Sequence, residues 1–179
     1  AWQQSGRSVK VKMPIDSTVA TNGSGVCQNF VSMNVPSSTY DWSSYTTIYD
    51  SFRVHGVKIK YIPFYNGVAA TQTPVSVPMV LFYDVDSTGV GLQSGVTTYA
   101  QALSYGNAKV RSTGEPFSVY FKAEKITGAT NEPQGWLNAT AGTTTTGAVG
   151  CFTFVSNGLP STIFGYFIIT YYVEFGFAG

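Results

Sequence analysis

The chain has 179 residues, with ten Lys and Arg against nine Asp and Glu and only 11% charged residues in all, well below the roughly 25% of an average soluble protein. That length fits one domain with a full hydrophobic core and is short for two. One His and two Cys outside any CxxC or Cys/His cluster leave no zinc motif or disulfide framework, and no apolar run reaches the ~20 residues of a membrane helix.

Ser, Thr, Val, Tyr and Phe are abundant, with 19 Gly and 8 Pro as punctuation, which is an all-β composition. The charge is unevenly spread. All ten cations lie between Arg7 and Lys125, alongside seven carboxylates, for a net +3; from Ile126 onward only Glu132 and Glu174 are charged, for −2. Such polarity in the sequence predicts a polarised particle.

Eight strand-like runs follow in order. They cover residues 8–15, 26–35, 51–64, 75–85, 107–113, 116–124, 148–156 and 163–177, separated by Gly, Asn and Pro turn signals such as Asn22-Gly23-Ser24-Gly25 and Tyr65-Asn66-Gly67. From Val57 the alternation is strict: Val57, Ile59 and Tyr61 on one side, Lys58, Lys60 and Ile62 on the other. That is the period of a half-buried strand with one cationic face. Helical signals are confined to the stretch from Tyr40 and the stretch from Val96, where Tyr99, Ala102 and Leu103 are placed to share a face. The segment 128–147 is a long, nearly chargeless loop. The expected fold is all-β, an eight-stranded antiparallel jelly roll of two four-stranded sheets with one or two short connecting helices.

Catalytic motifs fail one by one. His55 is the sole histidine, no GxSxG elbow exists, and Gly89, Gly91 and Gly95 miss the GxGxxG spacing. Asp84 and Asp86, at i and i+2, have the donor type for calcium, but the twelfth position of an EF-hand loop would be Gly95. A solvated turn is the plainer reading. Cys27 and Cys151 are expected as two buried apolar side chains.

The cations are better patterned. Lys10 and Lys12, Lys58 and Lys60, and Lys109 and Arg111 are i, i+2 pairs, each on one face of a predicted strand. With Arg7 and Arg53 they form a set suited to phosphates without reading sequence. Lysines that discourage edge pairing would look the same.

The ordered motifs carry a resemblance. Tyr49, Asp50, Phe52 and Arg53 leading to Tyr61 and Pro63, then VPMVLFYDVDSTG, then Tyr172, Val173, Glu174 and Phe175 resemble the successive strands of single jelly-roll coat proteins. Those proteins form small non-enveloped icosahedral viruses, either tombusvirus-like or of the circular single-stranded DNA group, and YGNAKVRSTGEPFSVYFK leans toward the latter. The resemblance implies a non-enzymatic capsid protein of the virion. It would self-assemble into a shell of 60 or 180 copies around a single-stranded DNA or RNA genome, meeting a host receptor that no motif names. Members of that group usually carry a basic arm, which is expected before Ala1; unlike the larger plant relatives, no projecting domain is expected after Phe177, and Asp84 and Asp86 match the family's places for interface calcium. The alternative is a secreted carbohydrate-binding jelly roll using Tyr65, Trp136 and the sequons at Asn22 and Asn138. A hydrolase or oxidoreductase lacks the His, Cys and carboxylate clusters it needs.

Overall fold

The computed structural model describes residues 8–20, 26–32, 36–64, 77–84, 96, 98–123, 137–138, 151–157 and 163–177. Among these residues nine strands run in chain order: β1 (Val9–Ala20), β2 (Val26–Ser32), β3 (Ser51–Pro63), β4 (Pro78–Asp84), β5 (Lys109–Ser112), β6 (Phe117–Lys122), β7 (Leu137–Asn138), β8 (Cys151–Asn157) and β9 (Ile163–Gly176). Two five-residue helices, α1 (Trp42–Thr46) and α2 (Tyr99–Leu103), lie in the connections. Each of the eight runs expected from sequence overlaps one of these strands, with ends that differ by up to five residues. The ninth, β7, is two residues long and pairs with Ser51 and Phe52, inside the segment 128–147 expected to be a long loop.

Two antiparallel sheets result. One has the order β1-β9-β3-β6 with β7 also on β3, the other β2-β8-β4-β5. Their facing surfaces bury Met13, Val57, Ile59, Tyr61, Met79, Leu81, Val119, Phe121, Phe167, Ile169, Tyr171 and Val173 in one apolar cluster. Each fully buried side chain of this size contributes roughly 1.5–3 kcal/mol. Period-two alternation in β3 and β9 supplies this layer, because successive side chains leave a strand on opposite sides.

β4 is different, being buried from Met79 to Tyr83 without alternation. Met79, Leu81 and Tyr83 face the central core, while Val80 and Phe82 pack with Val155 and with Ala102 of α2. A strand covered on both faces reads as a continuous hydrophobic run. Thr98 starts α2 with a reciprocal capping box to Gln101. The face expected to join Tyr99, Ala102 and Leu103 is only partly realised: Ala102 is buried, whereas Leu103 is exposed.

At one end of the sandwich α1 acts as a plug. Trp42 packs edge-on against Phe52 with centroids 4.8 Å apart, and Tyr45 stacks on Phe175 at 4.9 Å. β1 runs to Ala20, five residues beyond the expected end, because Asp16 to Val19 stay in register with β9 and Ala20 still pairs with Ile163 after a one-residue shift. Cys27 is buried, and burial pushes its thiol up to about 12, so it is an inert core side chain. The side chain of Cys151 lies outside the described residues.

Candidate nucleic-acid interface

The outward face of the β1-β9-β3-β6 sheet gathers two of the three cation pairs found in the sequence. Alternation sends Lys10 and Lys12 outward from β1, and Lys58 and Lys60 outward from β3. β9 lies between these strands and fixes their relation. Lys10 stands opposite Glu174, Lys12 opposite Tyr172, Lys58 opposite Thr170 and Lys60 opposite Ile168. Lys122 of β6 joins them, in register with Gly56. All five lysines are exposed, and among the described residues none of them is in an ion pair.

Arg53 has a different task. Its Nε and one terminal nitrogen donate to Glu174 Oε2 at 2.9 and 2.8 Å, and His55 Nε2 lies 2.7 Å from the same oxygen. Burial alone would raise the Glu174 carboxyl. Hydrogen bonds from Ser8, Arg53 and His55, with the charge of Arg53, outweigh it and hold the group at about 2. The acid is therefore ionised and its charge answered by Arg53, so Glu174 does not offset the lysines of this face. Among the described residues Asp16 is the other carboxylate here, opposite Ile168 and two outward positions along β1 from Lys12.

Between the lysines lies a shallow groove of about 520 Å³, lined by Lys10, Lys12, His55, Tyr120 and Tyr172 among others. Gly56 shapes it. A Cβ at this position would collide with the Tyr120 hydroxyl and meet the Phe121 carbonyl oxygen at 2.7 Å, so the missing side chain lets Tyr120 lie across β3. There its ring meets that of Tyr172 edge-on, with centroids 5.7 Å apart. Lys12 Nζ sits 5.9 Å from the Tyr172 centroid.

The third pair is elsewhere. Lys109 and Arg111 belong to β5, at the edge of the other sheet; Lys109 Nζ reaches over the ring of Phe121 at 5.1 Å, while exposed Arg111 donates to the Val110 carbonyl. Local spacing could not tell this pair from the other two. Lys122 was missed for the opposite reason, having no i+2 partner, although Val119-Tyr120-Phe121-Lys122 does alternate.

Arg7 and Asp86 lie outside the described residues, as do Tyr65, Trp136 and the sequon at Asn22. Asp84 ends β4 and receives a long hydrogen bond from the Tyr105 hydroxyl at 3.5 Å. Among the described residues no three His, Cys, Asp or Glu side chains gather, so a calcium ion at Asp84 requires donors from beyond them. Nor is any described helix long and apolar enough to cross a membrane.

No protein-family model matches the sequence, and no curated protein matches it. Solved structures do. A virus-like particle of the nodavirus of the giant freshwater prawn Macrobrachium rosenbergii aligns over 98% of this chain and 96% of its own, with a TM-score of 0.62 at 12% identity. Cucumber necrosis virus aligns over 98% of this chain and 58% of its own, with a TM-score of 0.65 at 13% identity. The 60-mer of the BFDV capsid protein aligns over 95% and 93%, with a TM-score of 0.54 at 12% identity. The chain shares its two-sheet fold with these viral proteins.

Proposed function

We propose that this chain is the shell-forming capsid protein of a small non-enveloped icosahedral virus. In this reading the two sheets are an eight-stranded jelly roll, with β7 as an accessory. Copies of the chain associate laterally into a closed shell around a single-stranded genome, and the lysine face of the β1-β9-β3-β6 sheet turns toward the lumen. The chain's work is assembly and enclosure in the virion, with no reaction catalysed.

One observation carries it. The fold aligns nearly end to end with viral proteins, two of them in structures described as a virus-like particle and a 60-mer, at identities too low for anything but shared architecture to account for the match. The surface agrees with that. Tyr40, Ile48, Leu103, Val110 and Phe177 are large apolar side chains exposed on the isolated subunit, a feature of chains that cover surface against neighbours. The lysines offer counter-charge to phosphate without base specificity. A calcium ion shared between Asp84 and a neighbouring subunit belongs to the same reading, and dissociation of particles by a chelator is its test.

The experiment is gel filtration with light scattering and an ultraviolet absorbance ratio, on the protein expressed with its full natural sequence. A megadalton species carrying nucleic acid is expected. A monomer or small oligomer free of nucleic acid would overturn the proposal. A particle structure with Lys58 and Lys60 on the outer surface would overturn the orientation alone.

A further inference from the structure

The lysine face differs from a plain basic patch in having aromatic rings at its centre. We infer that the groove at Tyr120 and Tyr172 is a stacking site for an unpaired nucleobase, so that the sheet binds single-stranded nucleic acid in preference to duplex. The inference rests on the lumen-facing orientation proposed above and adds a ligand class to it.

Three observations converge on this site. First, Tyr120 is 46% exposed even though it lies against the sheet, held there by the space that Gly56 leaves open. An exposed aromatic ring fixed against a backbone is a platform for a flat π-system, and every base has one. Second, charge flanks the rings on both sides. Lys12, Tyr172, Gly56 and Lys122 occupy one row across four adjacent strands, which puts Lys12 and Lys122 roughly 14 Å apart at three strand spacings. Lys58 lies beside Tyr120 in the next row. A nucleotide seated on the tyrosines thus has a lysine toward each neighbouring phosphate.

Third, the buried acid near the groove is already answered. Glu174 is held by Arg53 and His55, so it does not repel the backbone of a bound strand. The groove, at about 520 Å³, lies within the range of small-molecule sites and has room for one nucleoside. A duplex keeps its bases stacked inside and presents only phosphates to the same surface. Salt-sensitive charge attracts both forms, whereas the rings reward only the form with free bases.

The test measures the affinity of the chain, stripped of nucleic acid at high salt, for a thymidine oligonucleotide and for a duplex of equal length, across a salt series. Tyr120→Leu and Tyr172→Leu are expected to weaken single-strand binding roughly 5- to 150-fold, the effect of removing one stacked base, with duplex affinity and salt slope unchanged. Unchanged duplex binding also shows that the variants fold. Lys58→Gln and Lys122→Gln are expected to weaken both ligands, each substitution lowering the single-strand salt slope by about 0.7 as one phosphate goes unneutralised. If the tyrosine variants bind the oligonucleotide like the parent, or weaken equally toward both ligands, stacking is overturned while the lysine variants still report on the phosphate role. If the lysine variants also bind like the parent, the sheet does not face nucleic acid, and the orientation falls with the inference.

Discussion

Arg53 and Glu174 are separated by 121 residues, yet Arg53 places both Nε and a terminal nitrogen on one carboxylate oxygen of Glu174, at 2.9 and 2.8 Å. The pair staples β3 to β9 where Ser51 to Val54 meet Val173 to Gly176. Because the folded-state carboxyl is held at about 2, below its ordinary 4.5, the stabilisation is fully present above about pH 4.5 and is lost as the pH falls toward 2. Glu174→Gln is expected to cost roughly 1–3 kcal/mol at neutral pH. The difference in melting temperature between parent and variant should shrink between pH 4.5 and 2. A constant difference across that window would mean that the pair acts through packing alone.

Gly165 and Tyr61 share one space. A Cβ at 165 would meet Tyr61 Cζ and Oη at 2.8 Å, and Tyr61 cannot retreat because it is fully buried and its hydroxyl donates to the Thr113 carbonyl at 2.7 Å. Gly165→Ala should therefore destabilise the fold by about 1–3 kcal/mol. Tyr61→Leu removes the obstruction, so urea unfolding of the double variant should show a smaller loss than the two single losses added together. Strict additivity would refute the steric account.

Asn107 completes β4 with its side chain, accepting from Tyr83 N at 2.9 Å and donating to Tyr83 O at 2.5 Å. The amide mimics a strand residue just before β5 begins. Asn107→Ala is expected to cost about 1–2 kcal/mol and to speed hydrogen exchange at the Tyr83 amide. An amide that exchanges at the parental rate would show that another group protects it.

Gly56→Ala tests the shaping of the groove. The new methyl displaces the Tyr120 hydroxyl and presses on the Phe121 carbonyl, so a loss of roughly 1–3 kcal/mol is expected. Single-strand affinity should fall with it at temperatures where the variant is still folded. Stability lost without affinity would detach Tyr120 from binding.

What could be read from the sequence was what depends on near neighbours. The alternation from Val57 to Ile62 placed Val57, Ile59 and Tyr61 inside and Lys58 and Lys60 outside, as the structure has them. The turn residues divided the chain close to its strand ends. What stayed hidden was pairing across distance. Nothing near Lys10 announces that β9 will set it beside Glu174 and thence Arg53, and nothing near Asp16 shows that a polar stretch remains in register with β9. Lys109 and Arg111 have the spacing of the other pairs but belong to an edge strand of the second sheet. The two-sided burial of β4 was visible only as a hydrophobic run, since its outer cover, α2, comes fifteen residues later.

The strand orders have a consequence for how the protein is made. In one sheet β9 lies between β1 and β3, and in the other β8 lies between β2 and β4, so the strands of these two sheets that are made latest are the ones that join the earliest. While a ribosome is still producing the chain, β1 and β3 have no common neighbour, and the lysines of the groove stand on separate pieces of backbone. Closing such long loops before any pairing rewards them makes folding slow. The same wiring delays the cationic face until residues 163–176 have been made, so the surface that would capture nucleic acid matures only with the completed sheet.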